Sequence, residues 1–515
     1  MASTLVRGRH VVVRVTGRDE AQVIEDGAVF QRDGRIVAVG PYADLLLRYE
    51  PDETLGSPDD VVIPGLVNAH HHVGITPVQH GSRDHALELW FASLLAARGH
   101  DLYLDTLYSA FEMIESGVTT VQHLHGWATG GPAAVCASLE KAIAAYRDVG
   151  MRCSFSYGVG DQNLFVYGND DAFCASLPPE TGRALAAHLA AFRSPLEEQG
   201  EVFEELHRRH GKAPRTRIQL APNNLHWCSD RALAMLRELS ERHAAPMHMH
   251  LDETPYQKAY ARARAGCSAI AHLERHGLLT PAMTLGHGVW FTQADIEKVA
   301  AAGARICHNA SSNLRLRSGI APLNAFHRCG VECAIGMDEA GINDDRDMLQ
   351  EMRVVLNVHR VPGMDDTEVP TAAQVLRMAT EHGARTTPFA AEIGTLEPGK
   401  AADLVLLDWR QIAHPHLALD HEITVVDAIV HRAKSKGVRT VMVAGEVVYR
   451  DGRFTKVDRD AAVAELAAEL AGPRTAAEQA RLRLSREVMP HVRAFYARHL
   501  DGEVREPFYR QNARA

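Results

Sequence analysis

A chain of 515 residues is too long for one ordinary core, so a large domain with an accessory one is expected. The formal net charge of -10 argues against a nucleic-acid or anionic-membrane surface. Hydrophobic residues at 46% and charged residues at 23% suit a globular enzyme, and no apolar run reaches the roughly 18 residues of a membrane span.

The first residues, MASTLVRGRHVVVRV, lack an apolar core of signal length and read as the approach to a strand. Residues 9–62 alternate short β-rich runs with turns: HVVVRV, AVFQ, then RIVAVG after Asp33–Gly34. Short apolar runs then alternate with amphipathic stretches, the rhythm of repeated βα units. Eight strands are predicted, at 61–70, 118–125, 152–159, 217–222, 246–251, 283–289, 305–310 and 332–338, the count that closes a (β/α)8 barrel. Helices are predicted over 230–243 and 292–303, the latter opening at Thr292 and ending at Gly303. The insert 160–213 is too long for a plain loop and is expected to shape the mouth of a site. A β-rich pattern returns at 402–408, 424–430 and 439–454. The last stretch is an Ala/Arg/Glu-rich helical tail with breaks expected at Gly472–Pro473 and Pro490.

These boundaries give an α/β architecture: a distorted barrel over 63–392 and a small composite β-sandwich from 1–62 and 393–455. A helical extension over 456–515 packs outside, and a homo-oligomer is expected. Eight cysteines without a CxxC pair, Cys329 and Cys333 coming closest, read as small buried residues of a reduced, cytoplasmic protein.

The 29 histidines matter by position. Residues i and i+2 of a strand share a side, and three strand ends carry such pairs: His70/His72, His123/His125 and His248/His250. His287 and Asp338 stand at two further ends. All fall at the C-terminal ends of the strands, where barrel enzymes place their chemistry. A lone strand histidine is usually a satisfied core residue; three pairs with His287 and Asp338 are hard to explain as packing. Imidazole and carboxylate together suit zinc, iron or manganese.

The segments PGLVNAHHH, GVTTV, HLDET, LGHGV, HNASSNLRLRSGIAP, GMDEAGINDD and IGTLEPGKAADLVLLD resemble the amidohydrolase superfamily. The branch is that of the cytosine, guanine and S-adenosylhomocysteine deaminases and the triazine hydrolases. The resemblance implies one divalent metal ion per chain, held by His70, His72, His250 and Asp338. No lysine stands at the fourth strand end to bridge a second metal. It implies catalytic roles for Glu253, three residues after His250, for His287 and for Asp338. The implied chemistry is a cation lowering a water pKa from about 15.7 to about 7, with Asp338 taking the proton. Hydroxide then attacks a ring sp2 carbon bearing nitrogen while Glu253 shuttles protons.

Substrate contacts are expected from Gln79 and Arg83 on the first βα loop, and from His125, His226, Trp227 and Asn313. A surface ion pair is the competing reading for Arg83, and a core hydrogen bond for His125. The segment APNNLHWCS departs from the APHAPYTC of relatives, with Asn223 in place of the usual histidine, so specificity does not carry over there. His248, one step deeper than His250, reads as a supporting residue. The expected function is therefore metal-dependent hydrolysis of a C–N bond in a small nitrogen heterocycle, with deamination first. Loss of sulfide, chloride or amine from such a ring, or cleavage of an acyclic urea or amide, uses the same groups. A barrel that has lost catalysis and serves assembly would show replaced ligands, and every position of a mononuclear site is filled here. No partner other than a small molecule is implied: no nucleic acid and no membrane.

Overall fold

The computed structural model describes residues 3–72, 74–126, 128–419 and 422–500. Four strands open the chain: β1 (Ser3–Val15), β2 (Ala21–Arg32), β3 (Arg35–Pro41) and β4 (Glu53–Pro64). Gly65 then lets the chain pass from one sheet to another. A Cβ on residue 65 would lie 2.1 Å from Thr119 Oγ1, so only glycine fits this crossing. The single strand predicted at 61–70 is accordingly two: residues 61–64 end β4, and β5 (Leu66–His71) begins the barrel.

The barrel continues with β6 (Val118–His125), β7 (Arg152–Val159), the short β8 (Thr216–Ile218) and β9 (Ala221–Pro222), and β10 (Met247–Leu251). It ends with β11 (Met283–His287), β12 (Arg305–His308) and β13 (Cys333–Ile335). β5 to β8 form one parallel arc and β10 to β13 another. Parallel bridges join the arcs at both seams, Leu220 to Met247 and Asn224 to His250 on one side and His71 to Asp338 on the other. Functional residues thus lie on the seams themselves, which fixes them relative to both arcs.

The chain returns to the first sheet with β14 (Leu404–Asp408), β15 (Val438–Val443), β16 (Glu446–Arg450) and β17 (Arg453–Phe454). The composite domain expected from the two chain regions is one hydrogen-bonded sheet in the order β17-β16-β15-β14-β4-β1-β2-β3. It curls around its own apolar cluster, which draws Val6, Val29, Ile36, Val62, Leu404 and Met442 from six different strands. Arg152 at the start of β7 donates to both carboxylate oxygens of Asp403, at 2.8 and 3.0 Å, and fastens this sheet to the barrel. Both side chains are buried, and Asp403 also accepts from Ala444 N at 2.7 Å.

Both predicted helices form: Asp230–His243, capped by Ser229, and Gln293–Ala302, whose Thr292 and Asp295 make a reciprocal cap and whose Gly303 takes a left-handed conformation. The stretch 424–430, read as β-rich, is the helix Val425–Arg432. Thr424 and Asp427 cap it reciprocally and its apolar residues pack against the helix Ala372–Met378, so tertiary burial overrides their β-branched preference. The tail breaks at Gly472–Pro473 as expected, but Pro490 stays inside the helix Ala476–Tyr496. That helix packs on Leu87–Leu94 and on the insert helix Pro179–Ala190, sharing one apolar cluster with both. Residues 501–515 of the expected extension lie outside the described residues. Among those described, no helix is long and apolar enough to cross a membrane.

Candidate metal centre and active site

Strand alternation puts His70 and His72 on the inner side of the end of β5, and β10 brings His250 to meet them. Close packing makes room for them: a Cβ on Gly336 would lie 2.4 Å from the His70 Cβ. The Nε2 atoms of His70, His72 and His250 form a triangle with sides of 3.0, 3.0 and 3.1 Å. Their other nitrogens fix the tautomers. His72 Nδ1 donates to the Leu124 carbonyl and His250 Nδ1 to the Asn223 carbonyl, each at 2.6 Å, while His70 Nδ1 lies 2.8 Å from His248 Nε2. Three Nε2 atoms therefore converge on one spot. Asp338 Oδ1 adds a fourth donor, 3.1 Å from His72 Nε2 and 3.6 Å from His70 Nε2.

This donor set fits a divalent cation. Nitrogens at ~2.0–2.1 Å from a tetrahedral ion stand roughly 3.3 Å apart, close to the spacing found. Electrostatics agree. Burial pushes the His70 and His250 imidazoles down, His250 to about 3, into the neutral form that binds metals. Burial also opposes charge on His72, but the hydrogen bond and charge of Asp338 lift it to about 9. Burial likewise opposes charge on Asp338, yet His72, His287 and His250 hold its carboxyl well below the usual range. Asp338 thus favours positive charge beside His72 Nε2, which a cation bound by that nitrogen would supply.

Around this cluster stand the other predicted residues. Glu253 is buried, and burial with the charges of Asp338 and Glu88 pushes its carboxyl well above the usual range. Ser318 Oγ donates to its Oε1 at 3.1 Å, and its backbone N–H donates to Gln257 Oε1 at 2.9 Å. His287 Nε2 faces Glu253 Oε2 at 3.7 Å and Asp338 Oδ2 at 3.8 Å. Its Nδ1 donates to Asn313 Oδ1 at 2.9 Å. Both His287 and Asp338 hold positive φ, 71° and 55°, a conformation non-glycine residues adopt where the surroundings enforce it.

A cavity of about 310 Å³ opens over the cluster. His125 and Trp227 line it, as expected of substrate contacts. Four other expected contacts do not. Gln79 is exposed and spends its amide on Thr76 N and Tyr108 Oη. Arg83 is exposed and outside the lining. His226 is buried behind the wall, with its ring 4.1 Å from Tyr167 and 4.2 Å from Trp227, and Asn313 reaches the site only through His287. The 160–213 insert, expected at the mouth, contributes no residue to this lining; its own Tyr167 instead donates to Glu88 of the helix Leu87–Leu94 at 3.1 Å. Sequence reasoning missed the wall: Leu87, Trp90, Phe91 and Leu94 of that helix, with Leu316 and Glu339. The signal was the largely apolar run ALELWFASLL (86–95) in the connection that follows the ligand strand, and the acidic residue next to Asp338.

Comparison with known proteins places these features in a family. Residues 61–448 match the family model described as the amidohydrolase family, and residues 27–49 match a bacterial imidazolonepropionase-like composite domain. The chain is 32% identical over 462 residues to the 5-methylthioadenosine/S-adenosylhomocysteine deaminase of Desulforudis audaxviator, covering 88% of this chain and 95% of that one. Among solved structures it resembles an adenosine deaminase from Xanthomonas campestris with bound zinc, at 28% identity and a TM-score of 0.72, covering 94% and 98% of the two chains. The atrazine chlorohydrolase of Arthrobacter aurescens, complexed with zinc, superposes with a TM-score of 0.74 at 20% identity, covering 90% and 99%. This last likeness speaks for the fold alone.

Proposed function

The chain belongs to the amidohydrolase family, and from that premise we propose that it is an aminohydrolase removing ammonia from a nitrogen heterocycle. The observation that carries the reading is the Nε2 triangle of His70, His72 and His250 beside two carboxyl groups of opposite character. His70, His72, His250 and Asp338 would hold one divalent cation, zinc being an ion that such N3O donors suit. When bound, the cation supplies a Lewis acid and lowers the pKa of a water from about 15.7 to about 7.

The protein groups divide the proton work. Asp338, held ionised, takes a proton from the attacking water; Ser312 Oγ, donating to its Oδ2 at 2.6 Å, keeps the carboxylate turned. Glu253 enters the reaction protonated and gives its proton to a ring nitrogen, which makes the adjacent carbon electrophilic. The water oxygen bonds to that carbon, Asp338 passes the proton it took to the exocyclic nitrogen, Glu253 recovers the remaining proton from the new hydroxyl, and the C–N bond breaks to leave a ring carbonyl, an N–H on the ring and ammonia. His287, with its Nδ1–H given to Asn313, turns a lone pair toward both carboxyl groups and accepts a hydrogen bond that orients the water. Each role matches a group whose protonation state its surroundings already set.

The test is turnover of zinc-reconstituted protein on aminopurines, aminopyrimidines, aminopterins and aminotriazines. Deamination raises product mass by about one unit and releases ammonia. Metal-loaded protein that leaves every aminated ring intact would end this reading.

A further inference from the structure

The cavity has two ends of unlike chemistry. Its floor carries the histidine cluster with Glu253, Asp338 and Glu339; its outer wall is Leu87, Trp90, Phe91, Leu94, Trp227 and Leu316. Phe91 sets its ring edge-on to Trp227 with centroids 5.3 Å apart, which closes the wall as one aromatic surface.

No lysine or arginine lines this cavity among the described residues. The nearby arginines are engaged or outside. Arg315 donates to Asp84, Asp344 and the Gly341 carbonyl, and Arg346 to Glu112 and the Glu339 carbonyl. Arg83 and Arg317 are exposed beyond the lining. Glu339 adds acceptor character: a carboxylate oxygen lies within 4.8 Å of ligand atoms of both His72 and Asp338. A carboxylate on the substituent would therefore lose its water against an aromatic wall that offers it no cation. An N–H on the ring, by contrast, meets acceptors, and an apolar substituent meets a matching surface.

We propose that this site takes a heterocycle bearing N–H donors and an uncharged apolar substituent, and that it rejects the same heterocycle when the substituent ends in a carboxylate. The inference rests on the deaminase reading for which end of the ring reacts, while its selectivity depends only on the wall. Relatives act on both 5-methylthioadenosine and S-adenosylhomocysteine by name. These two differ in an uncharged methylthio end against an amino-acid end, and so form a ready matched pair.

The experiment measures binding apart from turnover. Zinc-loaded Glu253→Gln protein, full length, is titrated with matched pairs by calorimetry: methylthioadenosine against S-adenosylhomocysteine, and alkylated against carboxyalkylated aminopyrimidines and aminotriazines. For each ring that binds, the uncharged member is expected at least about tenfold tighter. Leu94→Arg places a cation at the half-buried end of the wall helix. It is expected to tighten binding of the carboxylate member by at least about tenfold. Equal or tighter binding of carboxylates by the parent site, no uncharged member that saturates, or an unchanged ratio in Leu94→Arg overturns the proposal. Tight, selective binding in Glu253→Gln with no turnover by the unsubstituted enzyme strikes the deaminase reading and leaves this one standing.

Discussion

His248 Nε2 lies 2.8 Å from His70 Nδ1, so a buried histidine that faces no cavity sets the tautomer of a proposed ligand. His70 has no backbone carbonyl in that role, unlike His72 and His250. His248→Ala is therefore expected to weaken zinc binding by about 10–100-fold, measured by competition with a chelator. Activity should return at saturating zinc. Unchanged affinity would make His248 a packing residue.

Glu253 touches none of the three facing Nε2 atoms, and its carboxyl is the one the site keeps protonated. Glu253→Gln should lower kcat by about 10²–10⁴ while zinc content, read by metal analysis, stays at one per chain. Loss of zinc together with activity would move Glu253 into the metal's coordination.

Much of the site was legible because β-strand chemistry is periodic. His70 and His72 share a face by spacing alone, whereas the roles given to His250 and Glu253 came from the family resemblance. The split at Gly65 was not legible, because VVIPGLVNAH is one unbroken apolar run and only the approach of Thr119 forces the crossing. The helix Val425–Arg432 was missed because Val425, Val426, Ile429 and Val430 favour strands; the overlooked cue was the Thr424/Asp427 cap. Gln79 and Arg83 lie on the loop before the wall helix Leu87–Leu94, and loop folding, which no spacing rule fixes, decides what faces the cavity.

The Arg152–Asp403 pair joins barrel to sheet with neither partner exposed. Asp403→Ala should cost about 3–5 kcal/mol, because it strands a buried guanidinium. Replacing both residues together, Arg152→Met with Asp403→Leu, should cost less than the single change. Urea midpoints compare the two, and a costlier double variant would contradict the argument.

Burial raises the Glu88 carboxyl from 4.5 to about 7, against opposing hydrogen bonds from Thr254 and Tyr167. The folded value exceeds the unfolded one, so its contribution is fully present below pH 4.5 and is lost as pH rises through about 7. Glu88→Gln, which stays neutral, should match the parent near pH 4.5 and exceed it above pH 7 by on the order of 3 kcal/mol. Thermal unfolding across that window reads the difference; parallel curves would show that Glu88 ionises freely.

The sheet order carries a consequence for how the protein is made. β4 lies between β1 and β14, and β14 is synthesised only after the whole barrel. At about 5–20 residues per second, one edge of β4 waits on the order of tens of seconds on the ribosome with its backbone unpaired. An open edge of that kind is a template for pairing with another nascent chain. Slower growth in the cold or a holding chaperone, more than any change to the active site, would then govern the yield of soluble enzyme.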